Sequence, residues 1–446
     1  MSRYILVILV HCLLLFASQS ATAQKPKLRL DTVAPASQVR KLVFSEDGRR
    51  LYSAGKDKVV RTWEIVERDG KYKLVAGHKF RWEISRGARG HIFDVAISPQ
   101  GLIAFAGSSA WTNYSDVAIY DLKSRKLVKK LFTNASRKFP VRDLAFSPSG
   151  KRLAAVTDLG EIRSWDVDQW QESVIQTPSG QVQTARAIDF KTETELISTE
   201  TRGDTQVQLT FRNLSQNAVQ TLGDPSFPIM NIEQFKSGEL ATAHVNGDVR
   251  MWSNTNQPTK LRMGVEDEEL LTAMTIVDEQ HIVVAVTDSF TNRGASIEYW
   301  DTKTKKQLEK TAVFPSDPVH AMAANPQGNL IAISGGAKHE IRLVKLLEEK
   351  TGDRIVKPFS QAPVARVFTE GMPVSRIACN PAPDSVEVGF SLSSDSENIS
   401  LVFDPAKSRK QDGVFAIEKW RTENTDAGQF SLKTVSYTHL TLPTKA

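Results

Sequence analysis

The chain has 446 residues, enough for one large core or two domains. Its 57 Lys and Arg against 51 Asp and Glu leave a net charge of +6. That charge is spread along the chain rather than blocked, which argues against a nucleic-acid partner.

Met1 to Ala23 reads as a secretory signal peptide. Arg3 is the only early charge, and Ile5 to Phe16 is an apolar core too short to span a bilayer comfortably. Ala21-Thr22-Ala23 offers a small-residue cleavage site before Gln24, with an uncleaved anchor as the alternative. Cleavage leaves no stable membrane span and makes Cys379 the sole cysteine, so no intramolecular disulfide can form despite export. Cys379 fills an apolar repeat position and reads as a buried small hydrophobe rather than a nucleophile.

Lys27 to Val33 is a short alternating run, and from Val39 onward a repeated unit takes over. Its clearest copy is Val141 to Val167. Val141, Leu144 and Phe146 mark one extended run, and Ser147-Pro148-Ser149-Gly150 is a type I turn signal. Arg152 to Val156 is a second run; Asp158-Leu159-Gly160 turns again; Glu161 to Asp166 alternates and ends in Trp165-Asp166. Short strands at this turn spacing predict an antiparallel meander. Repeats start near residues 39, 92, 141, 185, 229, 271, 319 and 374, between 42 and 55 residues apart. The closing aromatic recurs as Trp63, Tyr120, Trp165, Phe211, Trp252, Trp300 and Phe403, with Asp after it at Asp121, Asp166, Asp301 and Asp404.

These columns resemble the WD-repeat family of β-propellers, best in Phe44–Glu64 and Phe146–Asp166 and over roughly residues 28 to 420. The resemblance implies an all-β fold in which each repeat gives one four-stranded antiparallel blade around a central channel. A small sheet with two apolar faces cannot bury them alone, so closing the ring stabilises it. Residues 24–434 are therefore assigned to the propeller. Eight repeats fit an eight-bladed ring, or a seven-bladed ring followed by the start of a second. The family's closure also implies an N-terminal outer strand lent to the last blade, for which Lys27 to Val33 is the candidate. Fourth strands are expected after each repeat, among them Arg354–Pro358 for the seventh; Gly413–Glu418 reads either as that of the eighth or as the opening of a ninth unit. The family's His, Ser, Asp and Trp hydrogen-bond set is mostly absent, with Ser53, Asp57 and Trp63 matching in the first repeat.

Loop lengths point to a binding face. The second-to-third-strand loops are long in the second, fourth, sixth and eighth repeats, as is the connection His78 to Gly90. In a propeller these loops emerge on one side. They gather Arg81, Trp82, Arg86, Arg89, Trp111, Tyr114, Arg202, Phe290 and Arg293 there, the aromatic-plus-arginine composition of interaction hot spots. Trp82 and Trp111 are the proposed anchors; the competing reading is that the aromatics fold back over blade edges.

No His-Glu-x-x-His, nucleophile elbow or complete phosphate loop occurs, so no catalytic, cofactor or metal residue is assigned. Glu266 to Glu269 reads as a solvated charge patch. The expected function is an exported, non-catalytic scaffold for a protein or peptide, in a bacterial cell envelope, the periplasm or outside the cell. One alternative is the recognition half of a larger protease-like or kinase enzyme; another is a propeller enzyme using its channel. Residues 435–446 (VSYTHLTLPTKA) read as sequencing-adapter-derived, which would make the chain a fragment; an ordinary exposed tail is the alternative.

Overall fold

Turn chemistry and alternation produce the expected meanders. The protein is described by a computed structural model covering residues 34–367 apart from 83–87, 110–115, 132–138, 159, 176–181, 203–205, 217, 224–228, 253–257, 263–268, 289–293, 316, 337–338, 348, 352–353, 357–358 and 361. Strand backbone is described at intervals from 374 to 441. The N-terminal segment through residue 33, including the signal region and the run Lys27 to Val33, lies outside the described residues.

Seven four-stranded sheets follow one another in chain order. Blade 1 is Val39–Phe44, Arg50–Gly55, Val60–Arg68 and Lys71–Phe80. The remaining blades begin with Ile92–Ile97, Val141–Phe146, Val182–Phe190, Ile229–Gln234, Glu269–Asp278 and Val319–Ala324. Within each sheet consecutive strands pair antiparallel, the first strand innermost. In blade 3 the register opposes Leu153 to both Phe146 and Trp165, which aligns the repeat's apolar columns across three strands.

Both faces of each blade are apolar, and their partners are the neighbouring blades. Seven buried clusters occur among the described residues, one at each junction. Leu153 and Ile162 of blade 3 are fully buried on opposite faces, one toward blade 2 and one toward blade 4. Burial of such a side chain stabilises by about 1.5–3 kcal/mol. The last seam closes the ring: Val39, Leu42, Leu51 and Trp63 of blade 1 pack with Ala321, Ala332, Ile341 and Leu343 of blade 7. Gln327 Nε2 donates to the Asp47 carbonyl across the same junction at 3.2 Å. The ring therefore has seven blades, which decides against eight.

Turn glycines matter at two of these junctions. Gly48 and Gly150 hold φ of +68° and +70°, and a Cβ on either would overlap the glutamine of an adjacent blade, Gln327 or Gln100. The left-handed backbone is what calls for glycine there, because the overlapping atoms are the movable ends of glutamine side chains.

Two strand assignments are corrected. The outer strand of blade 7 is Ala365–Val367, paired with Glu340–Lys345; Arg354–Val356 instead forms a hairpin with Glu349–Thr351. Only two residues separate Arg354 from Thr351, so the chain turns back locally before it could reach the blade edge. The outer position of blade 7 is thus filled from within its own repeat.

The eighth repeat belongs to a second unit. Val374–Pro381, Val386–Leu392, Asn398–Phe403 and Trp420–Thr422 form a four-stranded sheet of blade order. Its outer strand is Trp420–Thr422, while Val414–Ala416 pairs with Lys410–Gln411 and His439–Thr441. No helix among the described residues is long and apolar enough to cross a membrane.

Candidate functional site: the channel and its mouth

The innermost strands of the seven blades line a cavity of about 780 Å³. One repeat column, the residue before the Leu144 position, supplies Lys41, Asp94 and Asp143 in blades 1 to 3. The residue after that position supplies Asp189, Glu233 and Thr275 in blades 4 to 6. Alternation along a strand puts both columns on the channel side.

These side chains tie blade to blade. Lys41 Nζ lies 2.7 Å from Asp94 Oδ1. The other oxygen, Asp94 Oδ2, accepts from the Leu144 N–H of blade 3 at 2.9 Å. Asp143 Oδ2 in turn accepts from the Ile188 N–H of blade 4 at 2.8 Å. On the other side of the ring the ties are neutral. Asn231 Nδ2 donates to the Met274 carbonyl at 3.1 Å, and Thr275 Oγ1 accepts from Ala324 N–H at 3.1 Å.

Charge in the channel is unbalanced, with four carboxylates facing one ammonium. Burial, reinforced by Asp94, pushes the Asp143 carboxyl well above the usual range, against the opposing pull of Lys41. Burial likewise lifts Asp189 to about 6 and Glu233 to about 7. Burial alone would lower the Lys41 ammonium, but Asp94 and Asp143 outweigh it and hold the group above its ordinary value. The interior thus favours cations and retains protons near neutral pH.

The mouth has the opposite sign. Arg40 and Arg142 stand exposed at the cavity edge with Phe93 and Met230, the latter 42% exposed. Arg142 Nη2 pairs with Asp158 at 2.7 Å, and its guanidinium lies 4.7 Å above the Phe93 ring. Lys56, His91 and His320 lie within reach of the Arg40 charge, and His339 lies within reach of Lys56 and His320. Burial and then Lys58, Lys56 and Arg40 lower His91. Burial and then Arg40 bring His320 down to about 4, with His339 and Lys56 adding to the effect.

The loop residues singled out from the sequence are distributed differently. Trp82 is only 4% exposed; its Nε1 donates to the Gly90 carbonyl at 2.8 Å and its ring meets Phe105 edge-on at 5.3 Å. It packs the seam between blades 1 and 2, so the surface-anchor expectation for Trp82 is corrected to a packing one. The Arg81 carbonyl accepts from Tyr120 Oη at 2.9 Å beside it. Arg86, Trp111, Tyr114, Phe290 and Arg293, and the side chain of Arg202, lie outside the described residues.

The repeat residues have definite work. Trp63 Nε1 donates to Ser53 Oγ at 2.9 Å, and Trp252 Nε1 to Thr242 Oγ1 at 2.8 Å, with His244 Nε2 3.0 Å beyond. Trp300 Nε1 reaches Glu298 at 3.0 Å, and Trp165 is buried in the seam between blades 2 and 3. Asp121, Asp166 and Asp301 each accept backbone N–H groups of the following turn, as Asp301 Oδ1 does from Lys303 and Thr304 at 2.9 and 2.8 Å. Phe403 lies in the third strand of the second unit's sheet.

Known proteins match this architecture. The family model for the WD domain, G-beta repeat, matches residues 29–64 and 126–166. The chain is a seven-bladed β-propeller that carries WD-repeat matches. It is 33% identical over 145 residues to nuclear distribution protein PAC1-2 of Uncinocarpus reesii, covering 29% of each chain. It is 32% identical over 138 residues to eukaryotic translation initiation factor 3 subunit I of Aspergillus fumigatus, covering 29% of this chain and 34% of that one. The match thus spans about a third or less of these curated relatives. Among solved structures, the C-terminal WD40 domain of Sif2 aligns over 86% of this chain and all of its own, with a TM-score of 0.54 at 15% identity. The RRP9 WD40 repeats align over 71% of this chain and 93% of their own, also with a TM-score of 0.54 at 15% identity. At such identity the structural likeness speaks to the fold.

Proposed function

We propose that the WD-repeat ring is a non-catalytic scaffold that holds a protein or peptide over the channel mouth bearing Arg40, Phe93, Arg142 and Met230. The observation that carries this reading is an apolar and guanidinium rim around an open, ring-lined cavity. Partly exposed Met, Phe and Arg side chains at the edge of a concave surface are what interaction hot spots use. The rigid ring beneath them keeps the ordering cost of binding low. The signal-like pattern of Met1 to Ala23 supports the same scaffold acting outside the cytoplasm.

The test is capture of partners from the source cell's extracytoplasmic fraction by the mature chain. The double variant Phe93→Ala/Met230→Ala should lose the captured partner while its thermal midpoint stays within a few degrees. Undiminished capture would place the partner surface elsewhere.

A further inference from the structure

The mouth is not uniformly charged. Its basic groups concentrate in the sector that runs from blade 7 through blade 1 to the start of blade 2. Arg40 and Lys56 belong to blade 1, His91 opens blade 2, and His320 and His339 belong to blade 7. Arg40 and Lys56 have no carboxylate partner among the described residues. Three carboxylates lie nearby. Asp57 is taken up by Arg61 and by the Ala36 N–H, and Asp158 by Arg142. Asp317 faces His320 and His339 and offsets them only in part, since both imidazoles still fall below their ordinary value through burial. One polar atom of the sector is buried without a hydrogen-bond partner: His339 Nδ1.

Neighbouring cations that repel one another are stabilised by whatever anion comes between them. We propose that this sector binds a carboxylate side chain of an acidic peptide, seated between Arg40, Lys56 and the imidazoles of His320 and His339. The proposal rests on the reading of the mouth as the partner surface and gives that partner its chemistry. A peptide is favoured over nucleic acid because the positive sector is small and opens onto Asp94, Asp143, Asp189 and Glu233 inside the same cavity. A short peptide can place one or two carboxylates on the rim and leave the interior alone. A continuous phosphate backbone crossing the mouth would meet those carboxylates as well.

The probe is a rhodamine-labelled Gly-Glu-Gly-Glu-Gly-Glu peptide, with its Gln counterpart and an oligo-dT strand as comparisons, followed by fluorescence anisotropy on the full chain. Binding of the Glu peptide alone, weakening several-fold between low and physiological salt, is the expected result. Arg40→Glu/Lys56→Glu should lower its affinity at least tenfold. Lys129→Glu, on an exposed outer strand, should leave it unchanged. Thermal midpoints of the variants establish that they remain folded. No peptide binding at low salt, equal binding of the Gln peptide, or indifference to the double reversal overturns the proposal. Tighter binding of the oligonucleotide through the same residues overturns it in favour of nucleic acid. If Arg40→Glu/Lys56→Glu still captures a cellular partner that Phe93→Ala/Met230→Ala loses, the mouth remains the partner surface and only its acidic selectivity fails.

Discussion

Blades 1 to 4 and blades 5 to 7 solve one problem with different chemistry. Each inner strand must be fixed to the next across the channel wall. In the first half the ties are ionic: Lys41 to Asp94, Asp94 to Leu144 N–H, Asp143 to Ile188 N–H. In the second they are neutral, through Asn231 and Thr275. The apolar seams behind both halves are alike, so the wall chemistry can vary without changing the fold. The difference teaches that either chemistry can tie the wall, while the carboxyls lifted by burial run across the boundary, from Asp143 in blade 3 through Asp189 in blade 4 to Glu233 in blade 5.

The largest expected effect comes from the seam beside the charged half. Trp82→Ala should cost about 3–5 kcal/mol in urea unfolding, as a buried tryptophan does. A cost below 1 kcal/mol would return Trp82 to the surface. Next, Asp94→Ala removes the partner of Lys41 and the acceptor of Leu144 N–H together. It should cost about 2–3 kcal/mol, below a fully buried pair because the Lys41 side chain is 39% exposed.

The third prediction concerns pH. Asp189 and Glu233 bind their protons more tightly folded than unfolded. Their contribution is therefore most favourable below about pH 4 and is lost as pH rises through about 6 and 7. His320 works oppositely: held down to about 4, it costs stability as pH falls from about 6.5 toward 4. Asp189→Asn/Glu233→Gln should thus raise the midpoint at pH 8 more than at pH 5, by an amount on the order of 1 kcal/mol after solvent screening. Equal effects at both values would show that the channel carboxylates titrate normally. The smallest effect belongs to the neutral half, where Thr275→Val should cost about 1 kcal/mol with no pH dependence.

The ring was legible because its information is periodic. Apolar columns such as Val141, Leu144 and Phe146, the turn glycines and the closing aromatics repeat, and seven of the eight registers became blades. The blade count was not legible, because the eighth repeat carries the same columns and only the seam between blades 7 and 1 excludes it from the ring. The outer strand of blade 7 was missed because outer strands carry little apolar signal. Trp82 was misread because aromatic residues in a loop satisfy a hot-spot composition and a packing role equally well. The channel residues stood in two columns flanking the Leu144 position, Lys41, Asp94 and Asp143 before it and Asp189, Glu233 and Thr275 after it, and that polarity among apolar neighbours was a readable signal. The basic sector could not be read, since Arg40, Lys56, His320 and His339 meet only when the chain closes on itself.

Closure is therefore the claim on which both the ring and its mouth depend. The direct measurement is cross-linking of Asp47→Cys/Gln327→Cys, with Cys12 and Cys379 replaced by Ser, using a short bifunctional thiol reagent. Mass spectrometry should find one intramolecular link joining the peptides that carry residues 47 and 327, formed in the folded chain and lost in urea. If the folded chain fails to link these positions, blade 7 does not meet blade 1, and the seven-bladed ring and its cationic mouth fall together.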